Sequence, residues 1–579
     1  MADIRNRDLG EIYTPKCVSE MLRKQVEEVL PGFEKKFLIW DSCWGEGNLT
    51  RPLEADDLWC STLRQQDIED NKSEPGNKFV YDFLNDDCDI LKSIQAMWGA
   101  QYNNLPEHIV ESLTGYKHSK VESDFDDEFG FDDSDEDSEL SLVETDTKPI
   151  LFYINPPYAS QSVFGANNTD SRDSTDNVMK DIMNNDKVGT SSSQAYMQFM
   201  YRILKMKRMY KNKDIYVALV SPQNYLSTDS CAGFRYEWLK DFKFMSGTLF
   251  QANTFAGLSP RWGITTTVWG PCERLGANKE EDKREFKCKL MKRDGDVMVQ
   301  YGTKTLYNID GLRKANEIAK EKLLDSNAVE AVVTCSSGAV RSNKKKVLWD
   351  KDAIGYMFFK GNNVYHNVTE IGLMSVPYGD GSGTSITKYN VMDILAFFAS
   401  KGTVGVYGKV YSQDKDESIY PDKTHPDWVR LQTNAVLYSL FNDNTAFCEI
   451  DFGEDHVVNN FNYLNPNKIG YKLLHEALDS GLILDSGIRM YNKSEEVRKF
   501  IEKDRVKGGE FDREHPEYQV WQEEAGYYQW KWILKLKYPE LYKEWRQIYR
   551  EYSDELKQLV YNVGFYKNRA VDLNGNYIE

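Results

Sequence analysis

Over the first 270 residues, short apolar runs that stop abruptly at polar or glycine-rich turns alternate with helical stretches. Apolar residues at helical spacing occur over 196–204. The runs that we expect to form strands are 37–40, 58–63, 150–154, 215–220 and, as the last one, 265–269. Alternation of this kind is typical of an α/β fold. We therefore predict a doubly wound sheet that binds its ligands at the carboxyl ends of the strands.

The chain changes character after residue 270. Its 579 residues are enough for two or three domains. Residues 271–470 mix short strands, turns and lysine patches, which predicts a second, mixed α+β domain. Residues 471–579 are predicted to be a helical C-terminal region, and we interpret its aromatic residues as core, namely Tyr527, Trp530, Trp532, Trp545 and Tyr549.

The formal net charge of −19 is concentrated in one acidic block. About half of the residues from Glu122 to Asp146 are acidic, and none is Lys or Arg. A block of this kind repels itself. We therefore expect a solvated, disordered insertion over 120–148 of the first domain. A second polar stretch, 159–193, is expected to be a mobile loop.

Cysteine and histidine usage indicates no metal site. The nine cysteines and seven histidines are dispersed, without a Cys-x-x-Cys pair or a cluster at zinc spacing. Free thiols are therefore expected. No apolar run is long enough to cross a membrane, and the N-terminus lacks the apolar core of a signal peptide. A cytoplasmic protein without a membrane partner is the resulting expectation.

The tetrapeptide Asn155-Pro156-Pro157-Tyr158 stands directly after the apolar run 150–154. The side-chain oxygen of Asn155 and the carbonyl of Pro156 can hold the hydrogens of an amine whose lone pair is delocalised into an aromatic ring. Consecutive prolines fix these oxygens before a substrate arrives, and Tyr158 offers a flat face for stacking. Asn and Pro also favour simple turns, so the tetrapeptide alone leaves both interpretations open.

A glycine-rich turn follows the first predicted strand. It begins at Asp41 and continues through Ser42 and Cys43 to Gly45 and Gly47. Glycines in this position let the backbone pass close to a ligand and turn into a helix whose N-terminus faces the crevice. A lone Gly-x-Gly is a weak signal, but here it follows a predicted strand and precedes a predicted helix, which is the context such a motif requires.

Together the two motifs resemble those of S-adenosylmethionine-dependent N6-adenine DNA methyltransferases, in the subgroup whose cofactor motifs precede the catalytic tetrapeptide. The resemblance covers about the first 270 residues. It implies a Rossmann-like methyltransferase fold and S-adenosyl-L-methionine as the methyl donor. It also implies a flipped-out adenine in double-stranded DNA as the acceptor. Catalysis would fall to Asn155, Pro156, Pro157 and Tyr158, with Asn155 also bordering the cofactor.

Weaker motifs follow in the order that the family shows. Tyr13, Thr14 and Pro15 open a helix, with Thr14 as the expected N-cap and Pro15 at the first helical position, and in the family this element contacts the methionine end of the cofactor. Asp82 and Phe83 match the positions that bind the cofactor's adenine. Segments 217–226 and 250–269 resemble the strands that complete the target-base pocket.

The sequence departs from the family pattern in three places. The family's glycine motif usually reads Asp-Pro-x-Cys-Gly-x-Gly, whereas Ser42, Cys43 and Trp44 stand between the Asp and the first Gly here. The acidic residue expected to hold the ribose is Asp67, with Glu69 as the alternative. The acidic block lies where the family has less chain.

DNA contacts are expected in the second domain. A basic loop is the candidate for phosphate binding, with Arg341, Lys344, Lys345 and Lys346, although a solvated lysine-rich turn explains it equally well. Two other functions stay open: methylation of protein glutamine or RNA bases, and a catalytically silent DNA-binding or assembly subunit. The sequence does not settle the recognised DNA site, the oligomeric state, or whether a restriction or other DNA-defence partner exists.

Overall fold

The computed structural model describes two compact units, one comprising Met1–Asn308 with Ala570–Ile578 and the other Ile309–Arg569. The residues described within them are 13–88, 105–120, 140–158, 176–210, 212–256, 258, 263–272, 284–308, 313–320, 327–336, 339–342, 347–359, 371–379, 381–404, 418–442, 444–447, 449–452, 455–507, 534–535, 537–566 and 570–578.

In the described ranges, the strands are β1 (Leu38–Asp41), β2 (Leu58–Thr62), β3 (Asn77–Val80), β4 (Tyr116–Lys120), β5 (Leu140–Glu144), β6 (Ile150–Ile154), β7 (Ile215–Pro222), β8 (Phe242–Gln251), β9 (Gly263–Pro271), β10 (Arg284–Asp294), β11 (Val297–Asn308), β12 (Ala328–Glu330), β13 (Val333–Ser336), β14 (Ala339–Ser342), β15 (Leu348–Asp350), β16 (Gly355–Phe359), β17 (Ile371–Met374), β18 (Thr384–Ile386), β19 (Thr445–Ala446), β20 (Ile450–Phe452), β21 (Asp455–Val457) and β22 (Val571–Asp572).

The α-helices of the same ranges are α1 (Lys16–Val29), α2 (Phe33–Lys36), α3 (Gln65–Asp70), α4 (Glu107–Thr114), α5 (Val178–Asn185), α6 (Ala195–Met209), α7 (Asn224–Ser227), α8 (Ala232–Leu239), α9 (Glu317–Lys320), α10 (Val391–Val404), α11 (Asp427–Leu440), α12 (Ile469–Asp479), α13 (Asp485–Lys507) and α14 (Pro539–Asn562). Where the structure describes the chain, no helix is both long and apolar enough to cross a lipid bilayer.

Unit 1 is built on a ten-stranded sheet in the order β22-β11-β10-β8-β9-β7-β6-β1-β2-β3. Strands β3, β2, β1, β6 and β7 run parallel to one another, so their carboxyl ends meet at one edge. Strand β9 is antiparallel to both of its neighbours, β7 and β8. The predicted α/β class with a large sheet is therefore confirmed for this unit.

The central strands are buried because their residues are apolar on both faces. All five residues of β6 are 0% exposed. On one face, Leu151 and Tyr153 join a core that includes residues of α1. On the other face, Phe152 packs beside Trp40 at 5.2 Å between ring centroids. Burial on both faces explains why this strand reads as a continuous apolar run rather than an alternating one.

The predicted strand at 265–269 is present as β9, but it is not the last strand of its sheet. Strands β10 and β11 extend the sheet beyond it, and β22 adds the C-terminal segment to β11. Gly302 permits this last pairing, since a Cβ there would lie 2.2 Å from the carbonyl oxygen of Val571. The first unit therefore continues to Asn308, where we expected a boundary at residue 270, and the units show no division at residue 470.

Two stretches expected to lack regular structure contain elements. Within the acidic insertion expected at 120–148, the apolar residues near its end form β5, which pairs antiparallel with β4. The polar stretch 159–193 includes α5 and a 3₁₀ helix, Gly189–Ser193. Asn177 caps α5 by accepting from the backbone N–H of Lys180. Residues 121–139 and 159–175 lie outside the described residues.

Unit 2 contains a four-stranded sheet, β18-β16-β17-β19, and a large apolar core. Helices α10, α11 and α14 contribute to that core. The helical character predicted from residue 471 onward is confirmed for α12, α13 and α14. Trp545 is 0% exposed and stacks on Tyr549 at 5.1 Å, so these two aromatic residues are core, as expected. Tyr527, Trp530 and Trp532 lie outside the described residues.

Candidate active site

A cavity of about 420 Å³ opens at the carboxyl edge of β1, β2 and β6 in unit 1. The loops after these strands form its walls, together with the segment after β3 and the first two turns of α6. Eleven residues predicted from the sequence line it: Tyr13, Thr14, Asp41, Ser42, Cys43, Gly45, Asp67, Asp82, Phe83, Asn155 and Pro157. Four others, Pro15, Gly47, Pro156 and Tyr158, are not among its lining residues.

Asn155 follows the last residue of β6, and its side-chain amide is held at both ends. Its Nδ2 donates to Thr14 Oγ1 at 2.8 Å. Its Oδ1 accepts from the hydroxyl of Tyr158 at 2.8 Å. These two bonds keep the side chain at the cavity wall.

Tyr158 is turned inward and does not present the open stacking face that we expected. The residue is 7% exposed, and its ring meets Phe255 edge-on at 6.3 Å between centroids. Burial raises the pKa of its hydroxyl well above the usual range, so the group stays protonated and donates. The oxygen that we assigned to the substrate amine therefore already accepts one hydrogen bond, from Tyr158, and keeps a second lone pair.

Thr14 does not cap the first helix. The N-cap of α1 is Pro15, with extended backbone angles and no side-chain cap hydrogen bond. Thr14 is 6% exposed, and its hydroxyl accepts from Asn155 instead. The segment before α1 therefore orients the tetrapeptide directly.

The glycine-rich turn is shaped by Trp44, which stands where the family pattern has a different residue. Its indole N–H donates to Thr50 Oγ1 at 3.1 Å, and its backbone N–H donates to Ser61 at 2.9 Å. Gly47 has a φ of +77°, and a Cβ there would lie 2.9 Å from the indole ring. Gly47 thus packs against the indole ring of Trp44 and does not line the cavity. Gly45, with a φ of +57°, lines the cavity.

The helix predicted after this turn is not formed. Residues 48–52 make only hydrogen-bonded turns, with the N–H of Arg51 bonded to the carbonyl of Gly47 at 2.9 Å. Pro52 has no N–H with which to continue the series, and its ring clashes with a preceding helical carbonyl. The segment therefore makes a single helix-like turn and does not continue as a helix.

Asp41 places a buried carboxyl on the cavity wall. The residue is 1% exposed, and its Oδ1 accepts from the backbone N–H of Cys43 at 3.1 Å. Its Oδ2 has no hydrogen-bond partner, and neither has the hydroxyl of Ser42. Burial raises the pKa of Asp41 to about 7. Burial also raises the pKa of the Cys43 thiol well above its usual range, and the Asp41 charge adds to this.

Asp67 and Asp82 reach the cavity from two neighbouring loops. Asp67 lies in the first turn of α3, where its Oδ2 accepts from Thr62 Oγ1 at 2.7 Å. Of the two alternatives for the ribose ligand, Asp67 lines the cavity and Glu69 does not. The Asp82 carboxylate accepts from the N–H of Leu84 and from the side chain of Asn85, which shapes the loop after β3.

Phe83 and a buried arginine complete this wall. Phe83 is 1% exposed and stacks on Phe199 of α6, with centroids 5.3 Å apart and planes at 14°. Arg202, one turn further along α6, is 0% exposed and donates to Tyr81 and to the carbonyl of Asp86, each at 2.8 Å. It also contacts the sulfur of Cys88. Arg202 thus ties α6 to both ends of the loop that carries Asp82.

Sequence reasoning missed Arg202, although its position carried a signal. Arg202 lies between the apolar positions 199 and 203 of the predicted helix. An arginine among such positions needs buried partners. The partners themselves follow β3, and the sequence alone did not connect them to α6.

The residues proposed for phosphate contact lie in unit 2. Arg341 belongs to β14, which forms an antiparallel hairpin with β13 and pairs with Thr334. Lys344, Lys345 and Lys346 lie outside the described residues. Among the residues that the structure describes, no group of three or more His, Cys, Asp or Glu is arranged as metal ligands.

No protein-family model matches the sequence, and no curated protein is detectably similar to it. Among solved structures, the methyltransferase subunit of a type I restriction-modification system from Streptococcus thermophilus matches 50% of this chain at 14% identity and a TM-score of 0.28. The match spans half the length of that protein.

Two longer similarities concern restriction enzymes. The type IIG restriction endonuclease BpuSI matches 96% of this chain and 66% of its own, at 9% identity and a TM-score of 0.27. The type IIL enzyme MmeI, solved in complex with DNA, matches 95% of this chain and 73% of its own, at 10% identity and a TM-score of 0.28.

Proposed function

We propose that this chain transfers a methyl group from S-adenosyl-L-methionine to N6 of an adenine that is flipped out of double-stranded DNA. The observation that carries the proposal is Asn155, an oriented amide at the carboxyl end of β6, on the wall of a cavity that also holds the glycine-rich turn. A flipped base brings its exocyclic amine to such an acceptor.

The residues around the cavity fit the proposed methyl donor. Its volume of about 420 Å³ is within the range of cofactor pockets. The unpartnered Oδ2 of Asp41 suits a cationic amino group, and Asp67 and Asp82 offer carboxylates for ribose hydroxyls and an adenine amine. Phe83 supplies an aromatic surface beside Asp82. When bound, S-adenosylmethionine supplies a methyl carbon that is activated by a positively charged sulfur.

The catalytic work of the chain is to position and polarise the adenine amine. Asn155 Oδ1 and the carbonyl of Pro156 would accept its two hydrogens, which localises the nitrogen lone pair toward the methyl carbon. A nitrogen–carbon bond forms as the carbon–sulfur bond breaks, and the amine then releases one proton to solvent. Asn155 Oδ1 has two lone pairs, so it can accept from the amine beside the hydroxyl of Tyr158. A Tyr158 ring that has rotated outward can stack on the base.

Expression in methylation-free bacteria, followed by sequencing that reports modified bases, tests the proposal. We expect N6-methyladenine in one recurring DNA motif. Asn155→Ala should lower methylation about 100-fold or more, the usual effect of removing a preorganised acceptor or donor. Asn574→Ala, in an exposed turn that does not line the cavity, is the matched control and should methylate normally. Unchanged methylation by Asn155→Ala would remove the observation on which the proposal depends.

A catalytically silent DNA-binding or assembly subunit is the second candidate. It is favoured by the departure of the glycine motif at Trp44 and by Tyr158, whose hydroxyl already takes one lone pair of the Asn155 oxygen. Calorimetry separates the two, because a protein that has lost the cofactor gives no binding heat and no rise in melting temperature. If the cofactor does bind, incubation of its labelled form with separate DNA, RNA and protein pools identifies the acceptor and tests the alternative of RNA or glutamine methylation.

A further inference from the structure

A fully buried amide without hydrogen-bond partners lies at the carboxyl edge of the sheet in unit 1. Gln223 is 0% exposed, and neither its Oε1 nor its Nε2 has a partner. Buried amides in folded proteins are almost always paired, because an unpaired group forfeits its hydrogen bonds with water. The proposed chemistry of Asn155 does not use Gln223, so its state needs a separate explanation.

Gln198 shows that this unit can satisfy a buried glutamine. It is also 0% exposed, but its Oε1 accepts from Asn177 at 2.8 Å and its Nε2 donates to the carbonyl of Ser192 at 2.7 Å. The two glutamines therefore differ in pairing and not in burial. Gln198 is the matched control for Gln223.

The sheet register places Gln223 beyond Asn155 at the same edge. Strands β6 and β7 are parallel neighbours, with Ile154 opposite Leu219. Strand β7 continues to Pro222, so Gln223 lies three residues further along than the level of Asn155. At about 3.3 Å per residue this is roughly 10 Å in the strand direction. A purine with a hydrogen bond at each end can bridge such a separation.

The residue opposite Gln223 in the sheet is a glycine, Gly263, which has no side chain. Pro222 pairs with Ile264, which brings Gly263 beside the glutamine. A Cβ at Gly263 would lie 3.1 Å from Gln223 Oε1 and 2.8 Å from a methyl group of Leu249. Glycine at this position therefore leaves room for the amide that a larger residue would fill.

Two further polar groups near this edge are buried, and both interact with Tyr225. They are the hydroxyls of Ser221 and Tyr196. Burial raises the pKa of Tyr196, with smaller contributions from Cys231, Tyr225 and Tyr158, whereas a hydrogen bond with the backbone of Tyr225 lowers it. The contribution of Tyr158 places Tyr196 within electrostatic range of the tetrapeptide.

We propose that Gln223 binds the target adenine by donating from Nε2 to one of its ring nitrogens. The inference rests on the proposed function, in which Asn155 and Pro156 take the two hydrogens of the exocyclic amine. The ring nitrogens of adenine are acceptors, and a glutamine NH₂ group is the matching donor. The amide is unpaired in the free protein because its partner arrives with the DNA.

The test uses the full chain and duplexes carrying the DNA motif identified by sequencing. The target adenine is replaced in turn by its 1-deaza, 3-deaza and 7-deaza analogues, each of which keeps the amine and lacks one ring nitrogen. Gln223→Leu should lower kcat/KM on the adenine duplex about 10-fold or more, the usual effect of losing a base contact. With one of the three analogues, the kcat/KM of the wild type should already be lower than on the adenine duplex. On that analogue, Gln223→Leu should lower kcat/KM no further.

Melting temperatures separate this contact from a structural role. Because Gln223→Leu removes an unpaired buried amide, it should keep or raise the melting temperature, whereas Gln198→Leu should lower it by about 2 °C or more. The inference is overturned if Gln223→Leu lowers the melting temperature or leaves kcat/KM within twofold of wild type. It is also overturned if Gln223→Leu lowers kcat/KM by the same factor on all four duplexes. A wild type that methylates no duplex DNA instead overturns the proposed function, and the contact with it.

Discussion

Asp41 makes a definite prediction about pH. Burial raises its pKa to about 7 in the folded protein from an ordinary value of 3.8. The folded state therefore binds the proton more tightly than the unfolded chain, and stability from this group falls as pH rises from about 4 to about 7. A cationic ligand favours the ionised carboxylate, so affinity for S-adenosylmethionine should rise through that same pH range and level off above it.

Calorimetry at a series of pH values measures this effect. Below pH 7, binding by wild type should release protons, which appear as a dependence of the binding heat on the ionisation enthalpy of the buffer. Asp41→Asn should bind about 10-fold more weakly at pH 8 and lose this pH dependence. An Asp41→Asn protein with an unchanged pH profile would show that another group titrates.

The next prediction separates the hydroxyl of Tyr158 from its ring. Tyr158→Phe removes the hydroxyl bonded to Asn155 Oδ1 but keeps the ring for stacking. The melting temperature should fall, since a buried hydrogen bond contributes about 1 kcal/mol. Methylation should be retained, because the ring and the Asn155 oxygen both remain. Tyr158→Ala also removes the ring and should lose about 10-fold or more in kcat/KM. Equal losses in Tyr158→Phe and Tyr158→Ala would assign the function to the hydroxyl.

These residues show how far sequence reasoning reaches at this scale. The chemistry of Asn155 follows from its residue type and from its place after an apolar strand, and the structure puts it on the cavity wall. The inward turn of Tyr158 depends on packing against Phe255, which a local motif does not encode. The N-cap prediction for Thr14 was wrong for the same reason, since its hydroxyl bonds to a residue distant in the chain.

At the level of elements, the connection between α6 and the loop after β3 makes the next prediction. Arg202→Met removes the hydrogen bonds to Tyr81 and Asp86 while keeping an apolar side chain of similar length. The loop carrying Asp82 should become less ordered, and the Kd for S-adenosylmethionine should rise about 10-fold. Calorimetry measures this Kd, with kcat at saturating cofactor as a second readout that should change little.

Arg208, two turns further along the same helix, is the control. Its guanidinium pairs with Glu237 and Asp241 and does not line the cavity. Arg208→Met should lower the melting temperature and leave the cofactor Kd unchanged. If both variants weakened cofactor binding alike, general destabilisation of α6 would explain the effect, and the connection through Arg202 would carry no special role.

Strand prediction succeeded where apolar residues fill both faces and failed where a strand alternates. The residues of β6 are all buried, and the sequence predicts this strand to its ends. Strand β10 was missed, although Phe286, Cys288 and Leu290 are buried with charged residues between them. That alternation is the ordinary pattern of a strand with one covered face. Because the charged residues of this alternation are lysines, β10 was interpreted as part of the lysine patches of this region.

The division of the whole molecule could be predicted only in part. The change of character after residue 270 is visible in the sequence, but unit 1 includes β10 and β11, and its sheet also takes up β22 from the end of the chain. Pairing between segments so distant in sequence leaves no local signal. The helical content of the C-terminal region, by contrast, follows from helical spacing within each segment.

The division into two units predicts where cofactor binding changes hydrogen exchange. Every residue that lines the cavity belongs to unit 1. Hydrogen exchange of the full chain should therefore show added protection with S-adenosylhomocysteine, the unreactive product, at the loops after β1, β3 and β6. The buried helices α10 and α11 belong to unit 2, which contributes no residue to the cavity, so their exchange should stay as it was. Asp82→Ala, which removes a cavity carboxylate, should abolish the protection at the same ligand concentration. Protection confined to unit 2 would place the ligand elsewhere and separate the cavity from the proposed chemistry.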